Sequence, residues 1–153
     1  MKLSDIINEE LIYTELKGTT VSAILREFAE GICAAGKFSD SNLLYERLLQ
    51  RESQESTGIG KGIAIPHCKV ENLHELVLAI GYAPEGVDFH AIDGERTQFF
   101  FLLVSPANEA VLNLRALSAL SRLLKSPEFM TRLHKRPDKF ELLRLIREEE
   151  NSL

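Results

Sequence analysis

Apolar residues at Val21, Ile24, Leu25, Phe28 and Ile32 recur at helical spacing and predict an amphipathic helix from about Thr20 to Ala35. Gly36 is its natural stop. Ser39 to Ser41 offer capping oxygens for a second helix that turns Leu44, Leu48 and Leu49 inward. Ahead of both, Leu11 to Leu16 alternates weakly, the pattern of an edge strand. Ile63, Ala64 and Ile65 read as a short buried strand, and Pro66 ends it because it has no N–H to extend a ladder. Leu73 to Tyr82 predicts another strand, closed by a turn at Pro84-Glu85-Gly86. Asp93-Gly94 marks a turn before Thr97 to Val104, whose continuous apolar run from Phe99 predicts burial on both faces.

From about Asn108 to Lys125, the spacing of Val111, Leu114, Leu117, Leu120 and Leu124 predicts a long helix lying on that sheet. Ser126-Pro127 ends it, and Pro127 opens a short helix through His134. Pro137 fits the first turn of a last helix bearing Phe140, Leu143 and Ile146. Glu148, Glu149 and Glu150 stand against the negative end of that helix's dipole, so the tail is expected to fray. There is no internal repeat, low-complexity block or linker. The pattern predicts one α/β domain over residues 1–153, a mixed central β-sheet flanked by helices on both sides.

Composition narrows the function. A chain of 153 residues can bury a core without disulfides. Its net charge of −5 and pI near 5.4 argue against nonspecific nucleic-acid binding and suit a partner with a basic or apolar docking face. No segment approaches the roughly 20 apolar residues of a membrane span, and Met1-Lys2-Leu3-Ser4-Asp5 lacks a signal-peptide core. Cys33 and Cys68 are far apart, which indicates neither a disulfide framework nor a zinc site. The expectation is a cytoplasmic protein with no metal, no cofactor and no membrane insertion.

Candidate chemistry concentrates in Gly58-Ile59-Gly60-Lys61-Gly62-Ile63-Ala64-Ile65-Pro66-His67-Cys68. A histidine is presented where a strand stops, a usual place for a site in an α/β protein. Imidazole, with an ordinary pKa of about 6.5, is largely neutral and nucleophilic near neutral pH. A lone histidine after a strand is also an ordinary structural residue, so its neighbours must decide. Gly60-Lys61-Gly62 is no Walker A loop, and a third glycine is missing for a dinucleotide fingerprint. His67 and Cys68, adjacent on a strand, should point to opposite faces. His74, His90 and His134 lack acidic or cysteine partners at ligand spacing and read as surface or turn residues. Glycines 58, 60 and 62 allow close backbone approach and could turn N–H groups toward an anion.

The segment Glu52 to Cys68 resembles the phosphorylation-site signature of the fructose/mannitol/nitrogen-regulatory enzyme IIA family of the bacterial phosphotransferase system. Glu52 fills the acidic or amide position, Ile59-Gly60 follows after six unspecified positions, and Ile63-Ala64-Ile65-Pro66-His67-Cys68 completes it. Similarity continues through Ala91-Ile92-Asp93-Gly94, Phe99 to Val104, and Leu114 with Leu117-Ser118. The spacing of Ser56-Thr57-Gly58-Ile59-Gly60 before the histidine looks closest to free-standing nitrogen-regulatory IIA proteins.

That resemblance implies the same α/β architecture and a phosphohistidine carrier. It would accept a phosphoryl group on His67 from the histidine-containing phosphocarrier protein, the group originating in phosphoenolpyruvate through enzyme I. The implied reactive atom is Nε2, with Nδ1–H given to an orienting carbonyl. Arg51 matches a family arginine before the signature, and its guanidinium fork suits phosphate oxygens. The family's second histidine is here Asn113, which can donate a hydrogen bond but cannot become cationic. Arg115, close by in sequence, is expected to restore positive charge. The role implied is nitrogen regulation through target proteins; the alternative is a sugar-transport IIA that passes the group to a separate IIB domain.

Overall fold

In the computed structural model, residues 1–152 are described. A short 3-10 turn (Leu3–Asp5) leads into strand β1 (Ile7–Tyr13) and helices α1 (Val21–Ala34) and α2 (Ser41–Gln54). Strands β2 (Gly58–Gly60), β3 (Ile63–Ala64), β4 (His67–Val70), β5 (Val77–Val87) and β6 (Thr97–Pro106) follow, and helices α3 (Ala110–Leu124), α4 (Pro127–Leu133) and α5 (Lys139–Ser152) close the chain. The sheet runs β1-β5-β6-β3-β2, with β4 also paired to β6. Only β5–β6 and β2–β3 are antiparallel, so the sheet is mixed, as the sequence predicts.

The apolar run on β6 is the centre of the molecule. Phe100, Leu102 and Val104 face a core built with α1 and α2, while Phe99, Phe101 and Leu103 face one built with α3, α4 and α5. Thr20 caps α1 by accepting the Ala23 N–H (3.2 Å), and Asp40 caps α2 by accepting that of Leu43 (3.0 Å).

Five expectations need correction. The edge strand covers Ile7–Tyr13 and lies parallel to β5, earlier than the weak alternation at Leu11 to Leu16 suggests. Pro84-Glu85-Gly86 is no turn. Strand β5 continues to Val87 through an irregularity in its pairing, with Gly86 at φ +75°. There Arg96 donates to the Glu85 and Gly86 carbonyls (3.2 and 2.7 Å), giving partners to groups the ladder has lost.

Helix α3 turns Val111 and Leu114 outward, 62% and 65% exposed, and buries Asn113, Ala116, Leu120, Leu123 and Leu124. Pro137 precedes the last helix rather than entering it, because Asp138 takes the capping position and accepts the Glu141 N–H (2.9 Å). The acidic tail stays helical to Ser152. Glu149 is buried and accepts from the Ser126 hydroxyl (3.2 Å), and the Glu150 carboxylate takes the Leu3 and Ser4 N–H groups. Those tertiary contacts outweigh the unfavourable dipole. Among the described residues no helix is long and apolar enough to cross a membrane.

Glu150→Ala, which strips two N–H groups of their acceptor, should lower the unfolding free energy by about 1 kcal/mol. Urea denaturation measures this, and an unchanged midpoint would mean that the tail contact is inconsequential.

Candidate functional site

Construction of the site starts at a buried carboxylate. Glu52, near the end of α2, accepts both the Thr57 N–H (2.6 Å) and the Thr57 hydroxyl (2.7 Å). Burial pushes its carboxyl above the ordinary range, while the Thr57 hydrogen bonds pull it back. This clamp places Thr57, whose carbonyl accepts the Ile65 N–H (3.1 Å). The Ile65 carbonyl in turn lies 2.9 Å from His67 Nδ1. Pro66 interrupts the strand, yet its own carbonyl accepts the Leu103 N–H (2.9 Å), so the chain stays on β6 and resumes as β4. His67 therefore follows the end of β3, as the sequence predicts, and also begins β4, which the sequence reading did not anticipate.

A carbonyl can only accept, so Nδ1 carries the hydrogen in the neutral ring, and the Nε2 lone pair is left free. Burial lowers the His67 pKa below its ordinary value. The Ile65 contact opposes this, and the nearby charges of Arg51 and Lys69 add to it. A half-buried, neutral imidazole with one fixed tautomer results.

The ring opens on a cavity of about 380 Å³. Arg47, Gln50, Arg51 and Gln54 line it from one face of α2, at helical spacing. Lys69 comes from β4, two residues beyond His67 and on the same strand face. Asn113, buried at the start of α3, completes the wall; its Oδ1 accepts from the Ser105 hydroxyl (2.7 Å), which leaves its amide N–H groups for the cavity. Cys68 packs into the core on the α1–α2 side, and burial drives its thiol up to about 12, so it offers no thiolate. Among the described residues no group of three or more His, Cys, Asp or Glu could hold a metal ion.

Thus His67, Arg51 and Asn113 are brought together as the sequence suggests, and Arg115 is not. It is exposed and borders a different depression with Val111, Leu114 and Arg122. Two positions along a helix is about 200° around it, so burying Asn113 sends Arg115 away. Nor do the glycines reach the cavity. The Lys61 N–H between them donates to Asp93 (2.9 Å), and Gly60, at φ +93°, passes so close to Asp93 that a Cβ would lie 2.9 Å from its carboxylate. Arg47 was missed, although its position one turn before Arg51 is a legible signal. Ser105, by contrast, carried none. His74 and His90 are exposed; His134 is exposed too and sits edge-on to Phe99.

Comparison with known proteins shows the family and the fold. The family model described as phosphoenolpyruvate-dependent sugar phosphotransferase system, EIIA 2, matches residues 5–149. A fructose-specific EIIABC component of Bacillus subtilis is 33% identical over 87% of the chain, and the chain spans only 21% of that protein's length. A nitrogen regulatory protein of Bradyrhizobium diazoefficiens is 30% identical, over 87% of the chain and 86% of the relative. Among solved structures, nitrogen regulatory protein IIA-Ntr of Neisseria meningitidis superposes with a TM-score of 0.87 over 94% of the chain and 98% of its own, at 23% identity, a likeness of fold.

His67 should titrate below about 6.5 when its ring resonances are followed by NMR. Across the window from that lowered value up to about 6.5, the unfolded chain binds more protons than the folded one, so this group's contribution to stability falls as pH drops. A midpoint above the ordinary value would contradict the described ring environment.

Proposed function

We propose, for a chain that belongs to the phosphoenolpyruvate-dependent sugar phosphotransferase system EIIA 2 family, that His67 carries a phosphoryl group in the cytoplasm. The donor is the phosphohistidine of the small histidine-containing phosphocarrier protein. The His67 Nε2 lone pair attacks phosphorus, the N–P bond to the donor ring breaks as the new one forms, and the Nδ1 proton stays on the Ile65 carbonyl side. The observation that carries this reading is the 2.9 Å Nδ1 contact, which fixes a neutral nucleophile at the edge of a cationic cavity. Transfer of a phosphoryl group needs positioning and charge stabilisation more than covalent machinery. Arg51 meets the phosphoryl oxygens as a guanidinium fork, and Asn113 donates an amide hydrogen bond to them.

The biological role proposed is regulatory, with phosphorylation switching contacts to target proteins. Support comes from the nitrogen regulatory relative, matched over 86% of its length. A sugar-transport role, with onward transfer to a separate IIB domain, is the second reading, favoured by the 33% identity to the fructose protein. A fructose-specific EIIA component of Haloferax volcanii, 32% identical over 85% of its length, supports it too.

Intact-mass analysis after incubation with phosphoenolpyruvate, enzyme I and the phosphocarrier protein tests the site. One acid-labile, base-stable phosphoryl group is expected on the wild type and none on His67→Ala; label on His74, His90 or a serine would refute the assignment. Asn113→Ala should slow single-turnover acceptance by about tenfold, the value of one hydrogen bond to a charged group. A rate equal to wild type would make Asn113 a bystander.

A further inference from the structure

The cavity beside His67 is more positive than the chain around it. Acidic residues outnumber basic ones 23 to 18, yet Arg47, Arg51 and Lys69 line the cavity and no carboxylate does. The Glu52 carboxylate is close enough to feel the charge of Arg51, yet it is committed to Thr57 and makes no direct ion pair with it. Among the described residues neither Arg47 nor Arg51 takes part in an ion pair, whereas Arg132 and Arg144 both pair with glutamates. Like charges one turn apart on a helix face repel, so the arrangement opposes the stability of α2 unless an anion relieves it.

The donors are also uncommitted. Arg51 gives one N–H to the Glu55 carbonyl (2.8 Å). Arg47 has only a 3.5 Å approach to the Lys69 carbonyl, at the limit of a hydrogen bond. Strand β4 adds main-chain donors. The carbonyls of Val70 and of Pro66, just before the strand, are spent on Ala107 and Leu103 of the β6 side, so the N–H groups of His67 and Lys69 face the opposite, open edge, the edge Arg47 approaches.

Charge is not placed for the His67 ring alone. Arg51 and Lys69 lie near that ring, while Arg47, one helical turn before Arg51, approaches the Lys69 carbonyl and Cys68. At about 380 Å³ the cavity has the volume of on the order of ten waters, well beyond a single phosphoryl group.

We propose that, while His67 is unphosphorylated, this cavity binds a free phosphate dianion between Arg47 and Arg51, supplied as inorganic phosphate or as a small phosphomonoester, and that the bound anion competes with phosphoryl acceptance. The binding itself stands on the cavity; only the competition rests on the carrier reading above.

The test titrates inorganic phosphate and glycerol 3-phosphate, at constant ionic strength, into the full unphosphorylated chain while the His67 ring and Lys69 amide resonances are followed. Saturable shifts are expected, and Arg47→Gln should weaken binding by about tenfold or more. Arg47→Lys should recover part of the loss, and Arg115→Gln, outside the cavity, should bind as wild type does. Tighter binding of the monoester would identify a phosphorylated metabolite as the ligand, and equal binding would identify phosphate itself. In single-turnover transfer, saturating phosphate should raise the half-saturating donor concentration without changing the maximal rate. Absence of saturable shifts, or equal losses in Arg47→Gln and Arg115→Gln, overturns the proposal even if His67 is phosphorylated normally. Conversely, phosphate binding with no phosphorylation of His67 would refute the carrier reading and leave the anion site standing.

Discussion

The hydrogen bond between His67 Nδ1 and the Ile65 carbonyl is the constraint on which the proposed chemistry depends. Imidazole offers two nitrogens, and an unconstrained ring would exchange tautomers and present either one. Here a main-chain acceptor two residues back settles the matter. Its position is inherited through a chain of contacts, from the Glu52 carboxylate to Thr57, from Thr57 to Ile65, and from Ile65 to the ring. Pro66 contributes by what it lacks. Without an N–H it interrupts the ladder, so the strand pauses over Ile65 and Pro66 and the histidine emerges just after the pause while remaining anchored to β6.

Electrostatics follow from the same placement. Half-burial disfavours the imidazolium, and Arg51 and Lys69 disfavour it further, so the ring is held neutral where a nucleophile is required. The same cations are what an arriving phosphoryl group needs. On the proposed carrier reading, one set of charges serves both states, keeping protons off the empty ring and stabilising the loaded one. An amide at position 113 fits this scheme. With positive charge supplied from α2, the opposite wall needs only a donor, and Ser105 holds the amide in the orientation that provides it.

Much of this was legible in the sequence, for identifiable reasons. The two N-terminal helices announce themselves by capping residues and by a strong 3.6-residue period, and the apolar run on β6 by its length. The signature around His67 pointed to the proposed central residue and to Arg51, and the structure sets both at one cavity. What failed were inferences from proximity along the chain. Arg115 is near Asn113 in sequence but far around the helix, whereas Arg47 is four residues from Arg51 and faces the same way. Pro84-Glu85-Gly86 has turn composition, yet Arg96, ten or so residues on, satisfies the carbonyls that let a strand pass through. The acidic tail looked unstable because its partner, the first turn of the chain, lies at the other end of the sequence.

The proposed chemistry turns on one atom, His67 Nε2, and long-range 15N–31P correlation on the phosphorylated protein reads it directly. Coupling of phosphorus to Nε2 of His67, with Nδ1 still protonated, is the predicted result. A phosphoryl group on Nδ1 would require the Ile65 contact to break, and would contradict the account.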